Sequence, residues 1–323
     1  MDLHVLPKVR DGLSYLYVEH ARVDQHERAI ALHDAAGTTP VPCAALSLLM
    51  LGPGTAVTHA AVRVLAESGC LVAWVGEEGV RFYAQGLGET RSSRGLLQQA
   101  RLVSDPAARL RVVRRMYTMR FREHDLDGLT LEQIRGREGI RVRTAYQRAS
   151  REFGVPWRGR AFQAGDWRAA DPVNRALSTA NACLYGVCHA AVVAAGFSPA
   201  LGFVHTGKAL SFVYDVADLY KTETTIPAAF RATAEGTEGL EGRVRHACRD
   251  AFRESRLLAR VVDDVKRLLE LDRGAGAWAD DADFDAEPTA PGALWDPDGE
   301  VAGGRNHADP ADDGAGRGEE DGP

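Results

Sequence analysis

The hydrophobic period of this chain changes once, across the polar, glycine-bearing segment 86–92, and that change limits the possible folds more than any other feature. Before it, apolar and β-branched runs are short: 13–20, 29–33, 45–51, 70–75 and 80–84, with turn clusters such as Ala36-Gly37-Thr38 and Gly52-Pro53-Gly54 between them. One short helix is expected among these strands, from His59 to Glu67, with Thr58 as its cap and Gly69 as its stop. After it, apolar residues recur at helical spacing. Asp105-Pro106 is a cap followed by a first-turn proline, and Leu110, Val113 and Tyr117 mark the core face of the helix it opens. Thr130 to Gln133 reads as a capping box for a helix reaching Phe153. Asp171-Pro172 starts another, rich in small residues and expected at the centre of the core to about residue 195. Pro227 opens a short helix, and 238–271 reads as one long amphipathic helix. The expected class is α+β: a small N-terminal β-domain (1–88), a larger all-α catalytic domain (89–272), and a disordered acidic tail (273–323).

The formal charge of −6 over 323 residues hides an asymmetry. From Gly274 onward 14 acidic residues face two arginines, a local charge of −12, which leaves residues 1–273 at +6. A body of that sign suits a phosphate-bearing partner, and the tail suits a solubilising appendage. The five cysteines are odd in number and contain no C-x-x-C pair, which argues against a disulfide framework or zinc knuckle and fits a reducing cytosol. The apolar run 182–204 is interrupted by His189 and Pro199, so no membrane span is expected.

The densest chemistry lies at 202–221, GFVHTGKALSFVYDVADLYK. His205 sits in a loop between Gly202 and Gly207, and Ser211 is placed to cap a helix carrying Asp215 and Asp218 on one face. Two anions on one side of a largely apolar helix resist burial unless something positive lies between them. With the histidine they are candidate ligands for a divalent cation. The same residues also suit an Asp218–Lys221 ion pair and a histidine that only hydrogen-bonds its loop. Glu138 is bracketed by Arg135, Gly136, Arg137, Gly139 and Ile140, and its plain alternative is a pair with Arg135 or Arg141. In the loop 154–171, Trp157, Phe162 and Trp167 alternate with Arg158, Arg160 and Arg168. That pattern suits stacking on unpaired bases, or simply pins the loop to the helices. Arg109, Arg111, Arg114, Arg115, Arg120 and Arg122 crowd one helix and favour phosphate contact. Arg243, Arg245, Arg249 and Arg253 give a second basic surface, whereas Arg63 and Arg81 also read as plain surface charges.

The stretch GFVHTGKALSFVY at 202–214, with Asp215, Ala217 and Asp218, resembles the signature region of the CRISPR-associated integrase family, Cas1, in the type I-E subtype that accompanies the Cascade complex. NACLYGV at 181–187, WVGEEGVR at 74–81 and RHACRDAFR at 245–253 resemble it in the same order, so the likeness spans roughly residues 5 to 272. It implies that Glu138, His205 and Asp218 hold Mg²⁺ or Mn²⁺, that Asp215 is an accessory acid beside them, and that Tyr185 lines the site. It implies attack by the 3′-hydroxyl of a captured DNA fragment on the CRISPR repeat, with Lys208 and Lys221 neutralising charge on the phosphate. Candidate DNA contacts are Arg63, Arg81, Arg135, Trp167, Tyr185, Lys208, Lys221, Arg245 and Arg249. The expected partners are double-stranded DNA with 3′ single-stranded ends, CRISPR repeat DNA, a second copy of the chain and the small Cas2 protein. His20 and Phe162 stand where the family places tyrosines. Two other readings use the same residues: a stand-alone metal-dependent nuclease on branched DNA, and a non-catalytic DNA-binding scaffold.

Overall fold

The computed structural model describes residues 15–27, 29–43, 46, 48–77, 81–86, 93–121, 126, 128–160, 171–271, 294–296 and 299–301. Among them the strands come first: β1 (Tyr15–Val18), β2 (Arg22–His26), β3 (Ala29–Asp34), β4 (Gly37–Val41), β5 (Leu48–Leu51), β6 (Ala56–Val57), β7 (Leu71–Val75) and β8 (Phe82–Gly86). Helix α1 (His59–Glu67) lies between β6 and β7, and the side chain of Thr58 accepts the Ala61 N–H at its start. The strands form two four-stranded sheets, β1-β5-β7-β8 and β4-β3-β2-β6. In the first, β1, β5 and β7 are parallel and β8 closes the edge antiparallel. In the second, β2, β3 and β4 form an antiparallel meander.

The helices follow: α2 (Arg94–Ser104), α3 (Pro106–Phe121), α4 (Leu131–Phe153), α5 (Pro172–Ala194), α6 (Ser211–Ala217), α7 (Thr225–Ala234), α8 (Leu240–Glu254) and α9 (Leu257–Leu268). The fold is α+β. Strand β5 shows why its sequence, LLML, is apolar throughout. Successive side chains point to opposite faces. Leu49 and Leu51 pack with Val23, Ile30 and Leu65 between the sheets and α1, while Leu48 and Met50 join Val112, Met116, Leu184 and Val261 of the helices. Hydrophobic packing is therefore continuous from strands to helices. The boundary expected at 88–89 falls outside the described residues. Helix α5 is long and apolar enough to cross a membrane by composition alone, but most of its apolar window is buried in the protein, where Ala176, Ala180, Gly186 and Ala190 let neighbours approach closely.

Several elements differ from the sequence reading. Strands β2, β4 and β6 and helix α2 were not foreseen; β2 and β4 are polar and largely solvent-facing, so they carry little hydrophobic pattern. The helix expected over 238–271 is two, because Arg256 takes φ 49° and breaks the run between α8 and α9. The core face of α3 is Val112, Val113, Met116 and Tyr117, not Leu110, which is exposed. Part of the segment expected to be disordered pairs as an antiparallel ribbon, β9 (Leu294–Asp296) with β10 (Gly299–Val301), where Leu294-Trp295 and Val301 supply β-forming residues.

Candidate active site

The His205 loop is fixed by its own backbone groups. Asp215, on α6, is fully buried, and its Oδ2 accepts the N–H groups of Phe203 (2.6 Å) and Val204 (3.0 Å). Its Oδ1 accepts the N–H of His205 (2.9 Å) and lies 2.6 Å from Nδ1 of the same ring. From the other side, Arg109 donates to the carbonyls of Phe203 (2.9 Å) and Gly202 (3.4 Å). Buried Gln99 of α2 donates to the carbonyls of Ser198 and Leu201 and accepts the Ser198 N–H. Gly202 is required here: a Cβ would run into the carbonyl oxygen of His205 and stand 2.7 Å from Cβ of Ser211. Ser211 is not the expected cap. Its hydroxyl accepts from the Lys208 N–H and donates to the Lys208 carbonyl, while Leu210 occupies the cap position of α6.

The hydrogen bonds of Asp215, expected as an accessory acid, all go to the His205 loop. Both of its oxygens are spent on the loop, so it acts by holding His205. That contact is also the largest cause of the raised pKa of His205, ahead of burial, which opposes it, and of the charges of Asp215 and Asp218. With Nδ1 engaged, Nε2 is the nitrogen left for a ligand.

Glu138 projects from α4 and Asp218 closes α6. The two meet on Arg120 of α3: Nη1 stands 3.5 Å from Glu138 Oε1, and Nη2 stands 3.1 Å from Asp218 Oδ2. Arg120 is 4% exposed, a buried cation whose guanidinium bridges two acids. Arg141 lies 3.6 Å from Glu138 Oε2 and donates to Thr222. Lys221 lies 2.6 Å from Asp218 Oδ1 and donates to the Tyr185 hydroxyl at 3.0 Å. Burial alone would lower the Lys221 pKa, but the charge of Asp218, then Tyr185 and hydrogen bonds to both, carry it upward. The rings of Tyr185, Tyr214 and His205 follow edge to face, at 4.9 and 5.9 Å between centroids, and link the Lys221 side of the site to the histidine. Among the described residues, no three His, Cys, Asp or Glu side chains already stand close enough to hold a metal ion. Glu138 and Asp218 both reach Arg120, and the alternative pairs read from the sequence, Glu138 with Arg141 and Asp218 with Lys221, are present; the bridge by Arg120 was not foreseen.

The remaining candidates are spread more widely. Arg135 and Lys208 are exposed near the site in sequence, and Arg81 is exposed just before β8. Arg63 of α1 pairs with Glu67 at 3.8 Å, Arg245 of α8 with Glu77 at 3.2 Å, and exposed Arg249 with Asp250 at 2.9 Å. Trp167 and Phe162 lie outside the described residues. His20 is exposed, with φ 50°. The arginine-rich helix is corrected most. Besides Arg109 and Arg120, Arg114 caps the carbonyls of Leu126 and Leu129, and Arg115 takes the Leu268 carbonyl and Glu270. These guanidiniums satisfy chain ends within the protein, leaving Arg111 exposed; Arg122 lies outside the described residues. Trp157 stacks on Tyr146 at 4.5 Å and Arg160 ties down Asn174 and Ser178, so that part of the loop is pinned to the helices. Sequence reasoning missed Arg120 as part of the site, naming it only among the phosphate-facing arginines of its helix; Arg141 was named as a possible partner of Glu138, and their i, i+3 spacing carried that reading.

Residues 123–237 match the family model described as CRISPR associated protein Cas1. A curated relative from Thermus thermophilus, CRISPR-associated endonuclease Cas1 2, is 59% identical over 94% of this chain and 92% of its own length. The CRISPR-associated endonuclease Cas1 of Escherichia coli K12 is 43% identical over 83% of this chain and 88% of its own. Among solved structures, a TtCas1–DNA complex superposes with a TM-score of 0.76 at 60% identity, covering 83% of this chain and all of the other. A casposase bound to its integration product shares the fold, with a TM-score of 0.56 at 15% identity.

Proposed function

The chain belongs to the Cas1 family of CRISPR-associated proteins, and from that premise we propose that it is a divalent-metal-dependent DNA integrase and endonuclease of CRISPR adaptation, of the type I-E subtype. It inserts captured foreign DNA into the CRISPR array by transesterification. The observation that carries this reading is the meeting of Glu138 and Asp218 on one buried guanidinium, beside a histidine oriented by a buried aspartate.

In this reading Glu138, Asp218 and Nε2 of His205 hold Mg²⁺ or Mn²⁺. The donor set fits: Oε2 of Glu138 is buried with no hydrogen-bond partner, and two carboxylates with one imidazole suit hard divalent ions better than zinc. Such an ion, when bound, supplies Lewis-acid stabilisation at the scissile phosphate and activation of a 3′-hydroxyl. The protein supplies orientation and charge. Asp215 keeps the His205 ring in one tautomer and one direction. Lys221, held by Asp218 and Tyr185 and charged at neutral pH, is placed to meet a phosphate oxygen as negative charge develops. Exposed Lys208 and Arg135, and the more distant Arg63, Arg81, Arg245 and Arg249, attract and track the DNA backbone. Trp167 and Tyr185 complete the set of candidate DNA contacts.

The partners proposed are duplex DNA with 3′ single-stranded ends, the CRISPR repeat, a second copy of this chain and the Cas2 protein. The relative solved with DNA supports DNA as a partner. All five cysteines are free and buried, which suits the reducing cytoplasm. The test is a joining assay with the chain, Cas2, a labelled fragment and a repeat-bearing plasmid. Covalent joining that needs Mg²⁺ or Mn²⁺, and that Asp218→Ala abolishes while duplex binding persists, supports the proposal. Metal-dependent cutting without joining would point to a stand-alone nuclease, and binding with no reaction to a scaffold.

A further inference from the structure

We propose that Arg120 is a resident cation of this site: it holds Glu138 and Asp218 together before a metal arrives, and it must withdraw for a divalent ion to bind between them. The inference rests on the metal reading above and concerns how the ion is admitted.

An arginine cannot shed its charge on burial, so Arg120 at 4% exposure stays positive and depends on its two carboxylates for compensation. Its attachment is loose for so buried a group. It meets Glu138 at 3.5 Å and Asp218 at 3.1 Å, neither carboxylate takes it as a two-pronged fork, and its Nε has no hydrogen-bond partner. Arg141 and Lys221 stand at the outer oxygens of the same two acids. Three cations thus face two carboxylates, and a divalent ion would enter between acids whose charge is already compensated by neighbouring cations. Like charges at this spacing oppose entry strongly in a partly buried setting.

Room for withdrawal lies alongside. A cavity of 270 Å³ is lined by Arg120 and Arg141 together with Thr222, Glu223, Arg260 and Asp264. Glu223 and Asp264 already hold partners there, Arg260 at 2.7 Å on the first and Tyr220 and Arg267 on the second. Yet a carboxylate accepts several donors, so the displaced guanidinium keeps negative charge beside it inside the protein. A DNA phosphate arriving at the site offsets the added positive charge. Metal and DNA therefore bind with mutual reinforcement, and the protein alone binds metal weakly.

The experiment is Mn²⁺ binding to the full chain without DNA, read as free Mn²⁺ by electron paramagnetic resonance, then repeated with a saturating duplex oligonucleotide. Replacing Arg120 by methionine (Arg120→Met) removes one positive charge beside the ion and is expected to tighten Mn²⁺ binding by about tenfold or more. By linkage, the further tightening caused by DNA should shrink in that variant. Arg120→Lys keeps the charge and is expected to stay near wild type, a split that loss of packing alone would not produce. Arg141→Met, at a half-buried position, removes one of the three cations with less disturbance and is expected to tighten binding by a smaller factor. If Arg120→Met fails to fold, Arg141→Met decides. Wild type that binds Mn²⁺ while the variants bind it no tighter overturns the resident-cation role and leaves the metal reading standing. Absence of Mn²⁺ binding in every protein, with or without DNA, overturns both.

Discussion

Replacing Asp215 by asparagine separates a residue that builds the loop from one that holds an ion. The carboxylate accepts from three backbone N–H groups and stands against Nδ1 of His205, with distances from 2.6 to 3.0 Å, at zero exposure. An asparagine offers one acceptor oxygen. If that oxygen keeps Phe203 and Val204, the amide NH₂ faces two donors at His205, and two charge-assisted hydrogen bonds are lost. At roughly 1.5–3 kcal/mol each this is about 3–6 kcal/mol, reduced by the desolvation that a neutral amide avoids, so a net loss of about 3 kcal/mol is expected. The assay is denaturant unfolding of the metal-free protein, read as a fall in midpoint with unchanged slope. The His205 ring, titrated by NMR, should lose its upward pKa shift in the same variant, because the contact with Asp215 is its largest cause. A ligand role predicts the opposite sign, since removing one of two neighbouring negative charges relieves repulsion in the absence of metal. Unfolding of Asp215→Asn within about 1 kcal/mol of wild type would refute the reasoning.

Other outcomes follow from the same coordinates. Gly136 and Gly139 lie inside α4 with nothing within 4 Å of an added Cβ, so Gly136→Ala and Gly139→Ala should each raise stability by about 0.5–1 kcal/mol in thermal unfolding. Gly202→Ala, by contrast, forces a methyl against backbone and should cost about 2 kcal/mol or more by the same measurement. His189 packs on Phe82 at 3.9 Å between centroids, and burial pushes its pKa down to about 4. Because the folded value lies below the unfolded one, the unfolded chain takes up the proton first as pH falls. Stability should therefore decline from about pH 6.5 toward pH 4, by roughly 1–2 kcal/mol once partial exposure is allowed for. His189→Gln should flatten that slope in urea unfolding at pH 7 and pH 5.

Much of the fold was legible because its elements carry local signals. Thr130 and Gln133 form the expected capping box, Asp171-Pro172 opens α5, and the doubly apolar β5 reads as a strand buried on both faces. The break at Arg256 was not legible, because neither glycine nor proline marks it and only tertiary packing makes a left-handed arginine tolerable. The site was legible only in part, as residue types and order: Glu138 and Asp218 both reach Arg120, while His205 is held by Asp215 and no ready-made ligand cluster stands among the described residues. What spacing could not convey is direction. Asp215 and Asp218 share a short helix, yet one is sealed against the loop and the other faces cations, a division set by where the chain passes beside α6. The arginines of α3 failed for the same reason. Charge density suggests a polyanion, but a guanidinium meets a carbonyl as readily as a phosphate, and only three-dimensional placement tells which.

Between 198 and 205, the N–H groups of 203–205 all go to one carboxylate, and the carbonyls of Ser198, Leu201, Gly202 and Phe203 go to one amide and one guanidinium. A strand of chain so anchored cannot serve as a flap. Its amides at 203–205 should rank among the slowest-exchanging outside regular secondary structure, and the imidazole should keep its heading whether or not nucleic acid is present. Adjustment to a bound ligand then falls to long side chains with room to swing, which makes this a centre that adapts by charge rather than by backbone.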